Sequence, residues 1–220
     1  MPQILATKFL GRIFYTLMTN EQKWTTIPDQ PTIDKTIAAL AANGIDAEYV
    51  ATSSEAKEKI LTSIPEGSQV MTMTSTSMDQ LGVYDVINES GKYNAVRDKL
   101  SDPMVDQLEK NRLGAAPEYS MGSVHAITED GRLLIASQTG SQLAAHVYGA
   151  THVVLAAGAH KIVQTITDGM QRIEQHSLPL EAERARKAYG AAGSAINKLL
   201  IFNKEVKPNR IKLFIIGEVL

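Results

Sequence analysis

Three short stretches carry side chains suited to holding small anions: Ser75-Thr76-Ser77, Thr139-Gly140-Ser141 and Gly158-Ala159-His160-Lys161. Each follows a β-prone run and opens a helical one, so free backbone N–H groups and hydroxyls would gather where a helix begins, a setting that favours negative charge. Lys161 adds a point charge. Gly122 and Ser123, which open another β-prone run, join them as ligand-binding candidates. The plainer reading of the hydroxyls is ordinary N-capping, which uses the same residue types. None of the stretches is a P-loop or a G-x-G-x-x-G fingerprint, so no nucleotide is signalled. For acid–base or nucleophilic work the candidates are Glu129, in Glu129-Asp130-Gly131, and His160 beside Lys161. The competing readings are a solvated turn residue and a solvated loop histidine.

The other ionisable groups point to less. His146 and His152 are six residues apart and no H-E-x-x-H occurs, so the five histidines suggest no metal site. His125 lies in a β-prone run and reads as structural. Glu181, Arg184 and Arg186 fit a solvated helix face. With no cysteine, the chain cannot form a disulfide, a thiol nucleophile or an iron–sulfur cluster on its own thiolates. A net charge of −2 argues against a nucleic-acid partner. At 220 residues, 44% hydrophobic and 21% charged, the chain is neither disordered nor fibrous, and it carries no apolar run long enough to span a membrane. A cytoplasmic protein with no cofactor is expected.

The elements that must position these residues alternate. Thr32 is expected to cap a helix ended by Asn43-Gly44, followed by a strand from Asp46 to Thr52 and a helix through Ile60 stopped at Pro65. Gln69 to Thr74 reads as a strand, with Thr76 and Asp79 as a capping box for the next helix. Two β-prone runs around Asp130-Gly131 predict a hairpin in which Thr128 faces Leu133 and Ala126 faces Ile135. Val153 to Ala157 is a continuous apolar run of the kind buried on both faces of a parallel sheet. Last come a helix through Ile166 and Ile173, a charged helix, and strands at Leu199–Phe202 and Ile211–Ile216. The expected architecture is a single α/β domain over residues 31–220: a mixed, mostly parallel sheet with helices on both faces and an embedded β-hairpin. Residues 1–30 read as an extension. Residues 4–17 are apolar with Lys8 and Arg12, which fits a start placed upstream of the true Met18, an ordered surface helix, or a targeting segment.

The block GSVHAITEDGRLLIASQTGSQLAAHVYGATHVVLAAGAHKIV resembles the core of the LUD (lactate-utilisation) domain family. MQRIEQHSLPLEAERARKAYG, AINKLLIF and NRIKLFIIGEVL resemble its continuation. IDAEYVATSSEAKEKILTSIPEGSQVMTMTSTSMDQLGV is similar to its N-terminal half, so the likeness runs from about Pro31 to Leu220. The resemblance implies a fold similar to sugar-phosphate isomerases and CoA transferases, and an association with L-lactate oxidation in which some members accompany iron–sulfur partners. Glu129-Asp130-Gly131 is also similar to the Glu-x-Gly motif carrying the acyl-accepting Glu of CoA transferases. Three functions follow as expectations. The first is binding of an anionic small metabolite at the carboxyl edge of the sheet. The second is a non-catalytic subunit or scaffold for redox partner proteins, or a homo-oligomer. The third is acyl or CoA transfer.

Overall fold

The computed structural model describes residues 4–9, 12–17, 20–190 and 193–220. Strands β1 (Ile4–Phe9) and β2 (Arg12–Leu17) pair antiparallel, a ribbon in place of the surface helix that was one of the expectations. Their β-branched and aromatic content suits a pleated strand better than a helix. Helix α1 (Asn20–Thr25) follows, then α2 (Gln30–Ala42), β3 (Asp46–Val50), α3 (Ser53–Thr62), β4 (Gln69–Thr72), α4 (Thr76–Gln80) and α5 (Val83–Glu89). Next come β5 (Asn94–Ala95), α6 (Val96–Ser101), α7 (Gln107–Ala115), β6 (Tyr119–Gly122), β7 (Ala126–Thr128), β8 (Leu133–Ser137) and α8 (Ser141–Ala144). The chain ends with β9 (His152–Gly158), β10 (Ile162–Val163), α9 (Ile166–Arg172), α10 (Leu178–Tyr189), β11 (Lys198–Phe202) and β12 (Ile211–Ile216).

Six strands form one sheet in the order β3-β12-β9-β6-β4-β5, every pair parallel. Val153 to Ala157 in β9 and Leu213 to Ile216 in β12 are buried residue after residue, because helices cover both faces. The hairpin does not join this sheet. It forms the centre of a second, mixed sheet in the order β10-β7-β8-β11, so the expected α/β domain with its hairpin stands and its strands divide between a parallel sheet and a mixed one. One apolar core lies between the two sheets and takes in Ile33 and Leu40 of α2. Another lies under α3, α4 and α5 on the far face of the parallel sheet. A third, smaller core backs the second sheet with Ile173 and Trp24. Trp24 is thus packed although it precedes Pro31, the expected start of the domain.

Local chemistry moves some boundaries. Asp29, not Thr32, caps α2 by accepting from the Thr32 N–H, and Pro31 sits in the first turn, where its missing donor costs nothing. Ser75, not Thr76, caps α4 and accepts from the Met78 N–H, so the predicted Thr76–Asp79 box is displaced by one residue. Thr165 and Asp168 form a true capping box at α9. The hairpin register also slips by one: Ala126 faces Leu134 and Ile127 faces Leu133. Glu129-Asp130-Gly131 makes a three-residue loop with Gly131 left-handed (φ +81°) rather than a two-residue turn. Gly131 is also pressed against α2, where a Cβ would lie 2.4 Å from the Ala39 carbonyl carbon. Asn43 Nδ2 clamps the loop by donating to the carbonyls of Asp130 and Gly131.

Candidate functional site at the carboxyl edge of the parallel sheet

Because all six strands run the same way, the loops after β3, β4, β6, β9 and β12 share one edge of the sheet. β9 runs into a single 3-10 turn, Ala159–Lys161, that turns Lys161 back under the edge. Its Nζ donates to Ser77 Oγ (2.9 Å), to Ser123 Oγ (3.0 Å) and to the Val124 carbonyl (3.2 Å). Those acceptors come from the β4–α4 junction and from the link leaving β6. Arg172, at the end of α9 and 2% exposed, donates from Nη1 to the very next carbonyl, His125 O (2.7 Å), and to Ser177 Oγ (3.1 Å). Two buried cations therefore hold adjacent peptides of one segment. Among the described residues, neither forms an ion pair with a carboxylate.

The protonation of the surroundings follows from that imbalance. Burial, reinforced by Arg172, pushes the Lys161 ammonium down to about 7. Burial alone lowers Arg172 to about 10. His125, whose Nδ1 accepts from the Ala136 N–H, is depressed to about 3 by burial and then by Lys161 and Arg172. His160 is likewise held near 3 by burial, Arg172, Lys161 and His176, with the nearby Glu218 backbone opposing. Both rings are neutral at pH 7.

Three buried polar atoms here lack a partner: His160 Nδ1, Arg172 Nε and Trp24 Nε1. The last two can only donate, so an acceptor is what they need. Trp24 belongs because α1 rests on the Ala159–Lys161 turn and on the Ile173–Ser177 turn that continues α9.

The structure brings together Ser77, Ser123, His160 and Lys161. His160 is buried (3% exposed), not the solvated loop histidine that was the alternative. Gly158 makes room for it, since a Cβ there would lie 2.5 Å from both His160 Nδ1 and the Glu218 carbonyl. Ser75 serves as the α4 cap, and Thr76 is exposed and makes no bond to Lys161. Gly122 faces inward, with His146 Nε2 2.9 Å from where its Cβ would be. Thr139, Gly140 and Ser141 do not reach Lys161. They bond among themselves and to Ser137, and Lys198 Nζ donates to the Thr139 carbonyl (2.6 Å). The expected convergence of three junctions is thus two, because β8 belongs to the second sheet. Glu129 lies at the opposite end of β7 from Ser123, ion-paired with Lys35 of α2 (2.8 Å), apart from Lys161.

Arg172 and Trp24 escaped the reading of the sequence, which singled out His125 but as a structural histidine. The one local signal was Gly169, three residues before Arg172. A Cβ at Gly169 would lie 2.8 Å from Leu134 Cδ2, so this glycine lets α9 approach the second sheet closely enough to bury Arg172. Two open surface grooves lie elsewhere, one beside Tyr148 and Lys207, the other over Glu48 and Lys59. Neither holds a buried cation that lacks a carboxylate, so the Lys161 edge is the stronger candidate.

No helix among the described residues is long and apolar enough to cross a membrane, and no group of acidic or histidine side chains among them could hold a metal ion. The fold is similar to that of a DUF162 family protein from Deinococcus radiodurans, with a TM-score of 0.54 and 10% sequence identity, over 87% of this chain and 100% of that one. No curated protein matches. The profile of the LUD domain matches residues 33–216, covering both sheets and every residue around Lys161 except Trp24 and the Glu218 carbonyl, and the chain therefore belongs to the LUD domain family, which relates to lactate utilisation.

Proposed function

We propose that this protein binds a small anionic metabolite at the carboxyl edge of the parallel sheet, over Lys161 and Arg172. The observation that carries the reading is the pair of buried cations without a carboxylate. Burying a charge is costly unless a countercharge or hydrogen bonds offset it, and among the described residues only hydrogen bonds to neutral oxygens do so here, which leaves a place for a bound countercharge. The hydroxyls of Ser77 and Ser123 accept from Lys161; Ser123 Oγ donates in turn to the Val124 carbonyl (3.3 Å), and the Ser77 O–H is the one left to point at an acceptor and relay part of the positive charge. The unpartnered N–H groups of Arg172 and Trp24 are of the right kind for carboxylate or phosphoryl oxygens.

Binding is linked to protons. An anion holds Lys161 charged, so affinity should rise as pH falls through about 7. The test is thermal unfolding with lactate, pyruvate, inorganic phosphate and a CoA thioester added singly. A ligand of the folded state at a hundredfold excess over its Kd stabilises by about 2.7 kcal/mol. The expected result is a rise in Tm with at least one of these anions that is lost in Arg172→Leu. No rise with any of them at pH 6 would overturn the reading.

A further inference from the structure

Beyond ligand binding, we infer that Ser123 is a nucleophile and Lys161 its general base, an acyl-transfer centre for esters or thioesters of small acids. The geometry comes first. Lys161 Nζ lies 3.0 Å from Ser123 Oγ and 2.9 Å from Ser77 Oγ, distances at which a proton passes directly. Ser123 is only half-buried whereas Lys161 is 8% exposed, so the hydroxyl stands between the amine and an incoming reactant.

The three contacts at Nζ also suit either protonation state. The ammonium donates to two hydroxyls and one carbonyl. The amine accepts from the Ser123 O–H and still donates to Ser77 Oγ and the Val124 carbonyl. Once the Ser123 hydrogen turns to Nζ from the Val124 carbonyl it faces in the structure (3.3 Å), moving the proton to Lys161 keeps all three contacts at Nζ. Every titratable or charged group that bears on Nζ favours the amine or is neutral: Arg172 from α9, His125 from the β6–β7 link, and His160 beside it in the 3-10 turn. No carboxylate among them would hold the ammonium, and burial with Arg172 brings its pKa to about 7. The arrangement is a serine activated by an adjacent lysine, a recurrent variant of the serine–base pair.

The step balances. A lone pair on Ser123 Oγ forms a bond to the acyl carbon while its proton moves to Nζ. The tetrahedral adduct then expels the thiolate or alkoxide, which takes that proton from Nζ. Water or an acceptor nucleophile cleaves the resulting ester on Ser123 along the same path. Ser77 keeps Nζ aimed at Ser123 and is a positioning residue.

The test is covalent trapping of the full chain with an alkyl fluorophosphonate, in which Ser123 Oγ bonds to phosphorus and fluoride leaves, read by peptide mass spectrometry. Label on Ser123 is expected, at a rate rising with pH through about 7. In Lys161→Arg the charge stays but the base is gone, and labelling should fall about a hundredfold or more. Should Lys161→Arg fail to fold, the pH profile of the unaltered chain decides, and a rate independent of pH from 5 to 9 overturns the proposal. Label on Ser77 instead, or none on Ser123 in a chain that anions still stabilise, also overturns it and leaves the binding reading standing.

Discussion

The two edges of the parallel sheet each bury cationic side chains, and they treat them in opposite ways. At the amino edge, Arg210 just before β12 is 3% exposed and satisfied. It pairs with Glu205 (2.7 Å), itself 9% exposed, and donates to the carbonyls of Ala145, Ala150 and His146. At the carboxyl edge, Lys161 and Arg172 are buried too, yet among the described residues only neutral oxygens receive them. The first arrangement locks loops together and asks for nothing more. The second leaves net positive charge inside the protein, which a fold selected for stability alone would have neutralised, and such leftover charge marks functional sites.

The largest expected effect comes from acid. His146, which sits beside Arg210 and is held near 4 by burial and then by that charge, shares its neutrality with His125 and His160 at the other edge. Their folded pKa values lie below the unfolded value of about 6.5, so the unfolded chain binds more protons between there and about pH 4. Stability should fall across that window by most of the about 5–15 kcal/mol typical of a domain, as read by urea midpoints at pH 7, 5.5 and 4.5. A stabilising anion should recover part of the loss, through His125 and His160 alone. Full recovery or none would break the contrast between the edges.

Arg210→Met should cost about 3–5 kcal/mol, because it strands Glu205 as an uncompensated buried charge. Burial pushes the Glu205 carboxyl up, but hydrogen bonds from the Lys207 N–H and from Arg210 outweigh it and hold the group below its usual range. That contribution is present above the unfolded pKa and disappears as pH falls through the folded one, so the penalty should shrink in acid. A cost under about 1 kcal/mol at pH 7 would mean the amino edge is no more built than the other.

Lys161→Met should have the opposite sign. Removing an unpaired buried charge should leave stability unchanged or raise it by up to about 2 kcal/mol at pH 6, the two hydroxyls left behind taking back part of the gain. Since the folded pKa of Lys161 is lowered to about 7, the unfolded chain holds the extra proton above that pH, and native stability rises from there to the ordinary lysine range. The benefit of the substitution should therefore be smaller at pH 9. Destabilisation of several kcal/mol in chemical denaturation would show Lys161 to be a structural cation like Arg210.

The smallest effect is expected at Glu129→Gln. Its ion pair with Lys35 joins a half-buried carboxylate to an exposed ammonium, worth about 0–1 kcal/mol, and neither the anion-induced rise in Tm nor labelling of Ser123 should change. A lost ligand response would return Glu129 to the site.

What the sequence made legible divides along the same lines. Val153 to Ala157 could be read as a central strand because burial on both faces leaves an unbroken apolar run, and Lys161 became visible as the first charge after it. Thr139-Gly140-Ser141 looked equivalent, but nothing local distinguishes a loop at the end of β8 from one at the end of β6. The difference is which sheet each strand joins, and pairing is a long-range fact. Arg172 was invisible for a related reason: it follows an ordinary amphipathic stretch, and only the close approach permitted by Gly169 buries it. The hairpin's turn residues were legible and its register was not, since a left-handed glycine serves two- and three-residue loops alike.

The place of β12 has a consequence for how the chain is made. It lies between β3 and β9, so Asp46–Val50 waits for a partner that begins at Ile211. At about 5–20 residues per second, a ribosome needs on the order of ten seconds or more to supply it. Throughout that interval β3 has no strand neighbour, and once β9 has been made its apolar edge stays open until β12 follows, so the nascent protein is a natural client for chaperones. A premature stop shortly before Ile211 would leave β3 and the β9-β6-β4-β5 half-sheet as separate fragments joined only by chain, a product destined for proteolysis.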